Sequence, residues 1–348
     1  MRGMRRLLQR LWVGTLAASG GLWWARRELR REGAIVVLML HRVLDETAWE
    51  LTNSLRSTAL REGTFRKLAE YLARRCQAVP LSEAAPGIAG AKVKIAVTFD
   101  DGWHDNYAVA LPILLACGLP ATVFVCPGLT GCVAPFWPER VAAALLAIRA
   151  SATESETKIF IEHLKNYTPR ERKQWLEDLA HTLGAEDARG EPYDGDRTMT
   201  WEEIVEMQRA GVTFGSHTHT HQVLSAVGAE VGRREVRDSQ AAIERQLAER
   251  CDLFAYPNGG WSEEARRILE QQGVRLAFTT ERNAWTADCD PLRIPRANIC
   301  ESNVTGLRGG FSPAMFEYAT YWKTWRAMRA KGRPQAASRR SPQVRAAA

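Results

Sequence analysis

Three histidines in five positions, His217-x-His219-x-His221, follow the apolar run "VTFGS". Two adjacent acids, Asp100 and Asp101, follow another such run, "KIAVTF". Side-by-side carboxylates repel each other and an apolar strand has no use for them, so the pair asks for a positive partner. Imidazole and carboxylate together suit Zn²⁺ and similar divalent ions, and a catalytic site needs about three protein ligands with an open position for water. Two His and one Asp supply that set, with His219 between the ligands and able to point away. One carboxylate would then hold the cation. The other would take a proton from water whose pKa the cation lowers toward ~7. The structural alternative for the two acids is to cap the next helix, although Asp105 is available for that.

Two further places resemble these. His41 follows "AIVVLML", and Tyr256-Pro257-Asn258-Gly259 follows "LF". Continuous β-branched runs such as "AIVVLML" read as strands buried on both faces of a parallel sheet. "KIAVTF", "ATVFV", "VTFGS", "LFA" and "VRLAFTT" continue the series. Helical spacing appears between them in "TFRKLAEYLARRC", in "NYAVALPILLACG" with Pro112 at a kink or new start, and in "REVRDSQAAIERQLAER" and "SEEARRILEQQG". "TWEEIVEMQRAG" opens with Thr200 as cap and Glu203 three residues on. Strands alternating with helices predict an α/β protein with a parallel sheet, and six or seven such units suit a barrel as well as an open sheet. In such folds functional residues gather at the C-terminal ends of strands, which would put all four places on one rim.

Residues 136–200 break the rhythm. "PERVAAALLAIRA", "ESETKIFIEHLKNY" and "PRERKQWLEDLAHTLG" read as successive helices of an insertion, followed by a polar loop. There is no G-x-S-x-G elbow and no G-x-x-x-x-G-K-[ST] loop, which argues against a serine esterase and a P-loop nucleotide enzyme. Trp103, His104 and Trp261 could be core, surface or a sugar-stacking rim.

The net charge of +7 sits at the ends. Residues 1–31 hold eight Arg and one Glu, residues 323–348 hold eight Lys or Arg and no acid, and the body between is acidic. Basic ends suit anionic lipid headgroups or nucleic acid, and of these no nucleic acid is expected. The apolar run Leu11–Ala25 falls short of the ~20 residues of a spanning helix. With Arg on both sides and Trp12, Trp23 and Trp24, it reads as an interfacial segment, a signal-like segment or a packing helix. The expected organisation is therefore a basic, apolar segment at 1–33, one domain at 34–322, and a disordered basic tail at 323–348. Seven cysteines without a C-x-x-C, mostly in apolar settings, read as reduced thiols. They lean toward the cytoplasmic side, and the N-terminal segment toward a membrane-associated protein, with periplasmic or secreted placement as the alternative.

"TFDDG", then "GSHTHTH", then "FAYPNG" together resemble the NodB-type polysaccharide deacetylases, the family four carbohydrate esterases. The resemblance spans about residues 34–300. It implies a distorted (β/α) barrel of about seven parallel strands and metal-dependent removal of an N- or O-acetyl group from a sugar polymer, with an N-acetylated glycan as the leading substrate. It also implies Asp100 as catalytic base, and Asp101, His217 and His221 as the metal triad. The "YPNG" turn, with Tyr256 and Asn258, would face the oxyanion, the backbone N–H of Asn258 being the donor. Zinc is the default ion, and cobalt, nickel or manganese would accept the same ligands.

Two departures stand out. Many members carry in the third motif an Arg that pairs with the base, where this chain has Ala255; Arg293 or Arg296 in "LRIPR" is a candidate substitute. Members also carry a late Leu-x-His general acid, and no His follows His221 here. One branch, similar to exopolysaccharide and poly-N-acetylglucosamine deacetylases, has its acid in an early "YHxV"-like segment. "LMLHRV" is similar to that, which makes His41 the expected acid. Two other readings remain open: a deformylase of a lipid-linked formamido sugar, and a carbohydrate-binding protein without catalysis.

Overall fold

The computed structural model describes residues 2–331, apart from Asn53, residues 133–135 and 149–153, and most of the stretch 165–194. Ten strands are present among the described residues: β1 (Ile35–Leu40), β2 (Arg42–Leu44), β3 (Ala59–Arg61), β4 (Cys76–Ala78), β5 (Val93–Phe99), β6 (Ala121–Val125), β7 (Thr213–Ser216), β8 (Leu253–Ala255), β9 (Leu276–Phe278) and β10 (Ala297–Asn298). Seven of them line up as β10-β1-β5-β6-β7-β8-β9, all parallel, and β4 pairs with the first half of β5. β2 and β3 form a separate parallel pair. The seven-stranded parallel sheet with its covering helices is the expected distorted (β/α) barrel.

Period-two alternation sorts the strand residues between two layers. One set, including Val37, Ala96, Phe124, Ala255 and Phe278, fills the interior. The other, including Val36, Leu38, Ile95, Val97 and Val123, packs under the helices. The helices of the described residues include α1 (Arg2–Ala18), α2 (Gly21–Arg31), α3 (Glu46–Leu51), α4 (Glu62–Arg75), α5 (Leu111–Cys117), α6 (Trp137–Ile148) and α7 (Glu154–Leu164). They continue with α8 (Trp201–Arg209), α9 (Ala229–Leu247), α10 (Glu263–Gln271), α11 (Glu301–Val304), α12 (Pro313–Glu317) and α13 (Lys323–Lys331). Thr200 and Glu203 form the expected capping box on α8. Pro112 sits in the first turn of α5, after a π-turn at Asn106–Ala110.

α6 and α7 account for two of the three expected helices of the insertion; the third falls mostly outside the described residues. The insertion is stitched to the barrel at its return by Arg42, a buried guanidinium at the start of β2. It donates to Asp105 at 2.8 Å, to Asp196, to Thr52 at 2.9 Å and to Ser54 at 2.8 Å, and its plane lies 4.2 Å from the Trp103 ring centroid. A charge so deeply buried is tolerable only with its counter-charges in place.

Toward the N-terminus, α2 has Ala25 and Leu29 fully buried in the main core, as the packing-helix reading of that segment has it. Toward the other end, α13 continues to Lys331, with Trp322, Trp325 and Met328 against that core. Residues 332–348 lie outside the described residues. All seven cysteines are free thiols, four of them buried.

Asp105→Ala would strip Arg42 of one counter-charge. Urea denaturation should show a loss of about 3–5 kcal/mol; an unchanged midpoint would mean that Asp196 alone satisfies the guanidinium.

Candidate active site and metal centre

Strand register brings the four motifs to one level. Leu40 pairs with Phe99, Val125 with Ser216, and Ala255 with Phe278. The next residue of each strand continues the ladder: Asp100 N–H donates to the Leu40 carbonyl, and His217 N–H to that of Val125, both at 2.9 Å. Alternation then decides where the side chains go. His41, Asp100 and His217 share the parity of the interior residues Val37, Ala96 and Gly215. All three line a cleft of about 440 Å³ at the rim, with Asp101, His221 and Asn258.

Asp101 has the wrong parity for this cleft and reaches it by a backbone reversal, with φ of +75°. Thr218, His221 and Asn258 are also left-handed, at +61°, +60° and +54°. Non-glycine residues rarely adopt that region, and held strain of this kind clusters at functional sites. The reversal lets both adjacent carboxylates face one cavity. Glu235 accepts from the Thr220 N–H and hydroxyl, both at 2.8 Å, and so pins the loop that carries His221.

Asp101 Oδ1 lies 3.5 Å from His217 Nε2 and 3.4 Å from His221 Nε2. One ligand atom from each residue falls within 4.8 Å of the others, a set that fits a divalent cation. His217 Nδ1 lies 2.7 Å from the Ala255 carbonyl, so it carries the proton and Nε2 presents a lone pair. Burial pushes the His217 imidazole down to about 4, against the pull of Asp100, and keeps it neutral at pH 7. Asp101 is driven up by burial but more strongly down by the histidines around it, ending well below the usual carboxylate range. Its Oδ2 accepts from Trp103 Nε1 at 3.2 Å, which fixes the plane of the carboxylate. His219 stays outside the cluster, with its carbonyl accepting from Gly128 N–H at 2.8 Å.

Asp100 has a different partner. Arg296 donates to both of its oxygens, each at 2.7 Å, and is itself fully buried. The fork is held from behind by the Thr279 carbonyl at 3.0 Å and Thr98 at 3.2 Å. Burial alone would raise Asp100, but the guanidinium overrides it and holds the carboxyl ionised. Of the two arginines in "LRIPR", Arg296 therefore takes the part expected of the missing motif Arg. Arg293 instead stacks 3.6 Å from the Trp261 centroid and pairs with Glu281 at 2.6 Å.

Tyr256, expected beside the oxyanion, does not line the cleft. It shares the parity of Phe254, is completely buried under the helices, and donates its hydroxyl to the Leu292 carbonyl at 2.9 Å. Trp103, for which the sequence left core, surface and a sugar-stacking rim open, lines the cleft, and Phe136 and Ile161, which the sequence did not single out, extend it as an apolar wall. Phe136 lies 5.0 Å from the Trp103 ring and 5.2 Å from that of His221, centroid to centroid, so the insertion touches one of the candidate ligands directly.

Arg296→Gln leaves Asp100 buried and unpaired, and should cost about 3–5 kcal/mol in chemical denaturation. Arg296→Lys should cost less, since it keeps the charge and loses only the fork. Equal stability of Arg296→Gln and the parent would show that Asp100 finds its counter-charge elsewhere. A second expectation concerns pH. His217 titrates near 4 in the folded chain and near ~6.5 when unfolded, so the unfolded state binds the proton first as pH falls. In metal-free protein, stability from this position is full above ~6.5 and is lost on the way down to about 4. His217→Gln should flatten that part of the curve.

Comparison with known proteins places this geometry. The polysaccharide deacetylase family model matches residues 88–277, more than half of the chain. The chain is 21% identical over 221 residues to the putative polysaccharide deacetylase YxkH of Bacillus subtilis, covering 64% of this chain and 57% of that protein. It is 24% identical over 107 residues to the poly-beta-1,6-N-acetyl-D-glucosamine N-deacetylase of Staphylococcus epidermidis, covering 28% of this chain and 37% of that one. These matches thus span little more than half, and about a third, of the curated relatives. Among solved structures, the Streptococcus pyogenes deacetylase PplD, in complex with acetate, superposes with a TM-score of 0.52 at 20% identity, covering 80% of this chain and 99% of that one. IcaB from Ammonifex degensii gives 0.53 at 19%, covering 82% and 96%. The fold is shared with both, and the chain belongs to the polysaccharide deacetylase family.

Proposed function

We propose that this chain is a divalent-cation-dependent hydrolase that removes N-acetyl groups from an amino-sugar polysaccharide. The observation that carries the reading is the division of labour between the adjacent acids: Asp101 faces two imidazole nitrogens and Asp100 is forked by Arg296. Similarity to the S. epidermidis deacetylase supports an N-acetylglucosamine polymer as the substrate class.

Asp101, His217 and His221 would hold the ion. When bound, it would supply Lewis acidity, making water acidic enough for a weak carboxylate base to finish its deprotonation. Asp100 is that base. It is ionised at neutral pH, aimed into the cleft by strand parity, and kept from rotating by its two bonds to Arg296. The Asn258 backbone N–H faces the oxyanion that forms as the amide carbonyl becomes tetrahedral. His41 lines the same cleft, and its Nδ1 has no hydrogen-bond partner among the described residues. It gives its proton to the sugar nitrogen as the C–N bond breaks. Leu55, Phe136 and Ile161 offer an apolar wall to the carbon-bearing face of the ring.

Acetate release from N-acetylglucosamine oligomers tests this. Asp100→Asn and His41→Ala should each lower the rate about 10²–10⁴-fold with zinc content retained, and chelation should abolish it. Asp101→Ala should lose the ion; full occupancy there would break the triad assignment. Formate released in place of acetate would point to a formamido sugar, and neither product on a broad sugar panel would leave binding alone.

A further inference from the structure

α1 carries an apolar stripe that nothing among the described residues covers. Met4, Leu7, Leu8, Leu11 and Trp12 recur at helical spacing, and each is 41–62% exposed. The opposite face, with Val13 and Leu16 buried, already packs on the domain. The stripe is therefore a second apolar face and not a misplaced core. Next to it, α2 presents Trp23 and Trp24 to solvent with their ring centroids 6.4 Å apart. Arg27 lies over both rings, at 5.9 and 5.3 Å.

The occupant can be argued from charge and length. Residues 1–31 hold eight Arg against one Glu, so the stripe lies in a strongly cationic surround. Among the described residues no helix is long and apolar enough to cross a membrane. The stretch 332–348 holds Val344 as its one large aliphatic or aromatic residue, too little to cover five such side chains. Apolar residues on one side, Arg around them and Trp at the edge are the composition of a helix lying in the headgroup layer of a bilayer.

We infer that α1 and the Trp23–Trp24 pair form a monotopic docking surface for an anionic phospholipid bilayer. The stripe enters the acyl boundary, the arginines meet the headgroup phosphates, and the tryptophans mark the interface. This placement is independent of the chemistry proposed for the cleft.

The test is flotation of the full chain with phosphatidylcholine vesicles, with and without phosphatidylglycerol. Its partner is the triple variant Leu8→Gln/Leu11→Gln/Trp12→Gln, which keeps every arginine. All three positions are exposed, so the variant should show the parent's unfolding midpoint. The parent should float with phosphatidylglycerol vesicles, and the variant should partition about tenfold less or weaker still. Equal flotation of both would overturn the proposal by showing that the basic ends suffice without the stripe. Equal flotation with vesicles lacking phosphatidylglycerol would overturn its anionic part. No flotation would overturn it outright. If sedimentation then showed a parent dimer and a monomeric variant, the stripe would belong to a second copy of the chain.

Discussion

Two carboxylates cannot sit side by side at the buried end of a barrel unless positive charge meets each of them. That constraint organises the site. Burial raises the cost of ionising Asp100 and Asp101, and their mutual repulsion adds to it. The protein answers differently on the two sides. A fixed guanidinium neutralises Asp100, and Asp101 faces the Nε2 atoms of two imidazoles, one of them preset by its bond to the Ala255 carbonyl to present a lone pair, in a set that fits a divalent cation. The acids are thereby separated in function although they are adjacent in sequence.

Much of this could be read from the sequence because the physics is local. An apolar run ending in a polar residue marks a strand end, and parallel strand ends converge on one rim. Asp100, Asp101, His217, His221 and His41 were placed that way, and all line one cleft. What escaped was non-local or a matter of parity. Arg293 and Arg296 look alike in "LRIPR", and only the approach of that segment to β5 makes one the partner of Asp100. Tyr256 lies beside the cleft in sequence, but alternation in β8 sends its ring to the opposite layer. The reversal at Asp101 leaves no trace in residue type, since Asp tolerates the left-handed region as a minority choice.

The insertion illustrates another limit. Helical spacing identified α6 and α7, but not that the segment closes over the site. Phe136 against His221 at one end and Asp196 on Arg42 at the other are contacts between residues far apart in sequence. Arg42 also lies against Trp103, which holds Asp101. The carboxylate of Asp101 is thus braced, through an indole, by a charge cluster to which the returning segment of the insertion contributes Asp196.

The place of Arg296 in the chain ties two positions together. The region that the family model matches ends at residue 277, nineteen residues before it. The counter-charge of Asp100 therefore lies outside the matched segment, while position 255, facing the same interior, carries only a methyl group. A second guanidinium there would bring like charge into an enclosed space already holding one. An arginine at 255 would thus be tolerated only if position 296 gave up its own, and removal of Arg296 alone would leave the enclosed carboxylate without its fork.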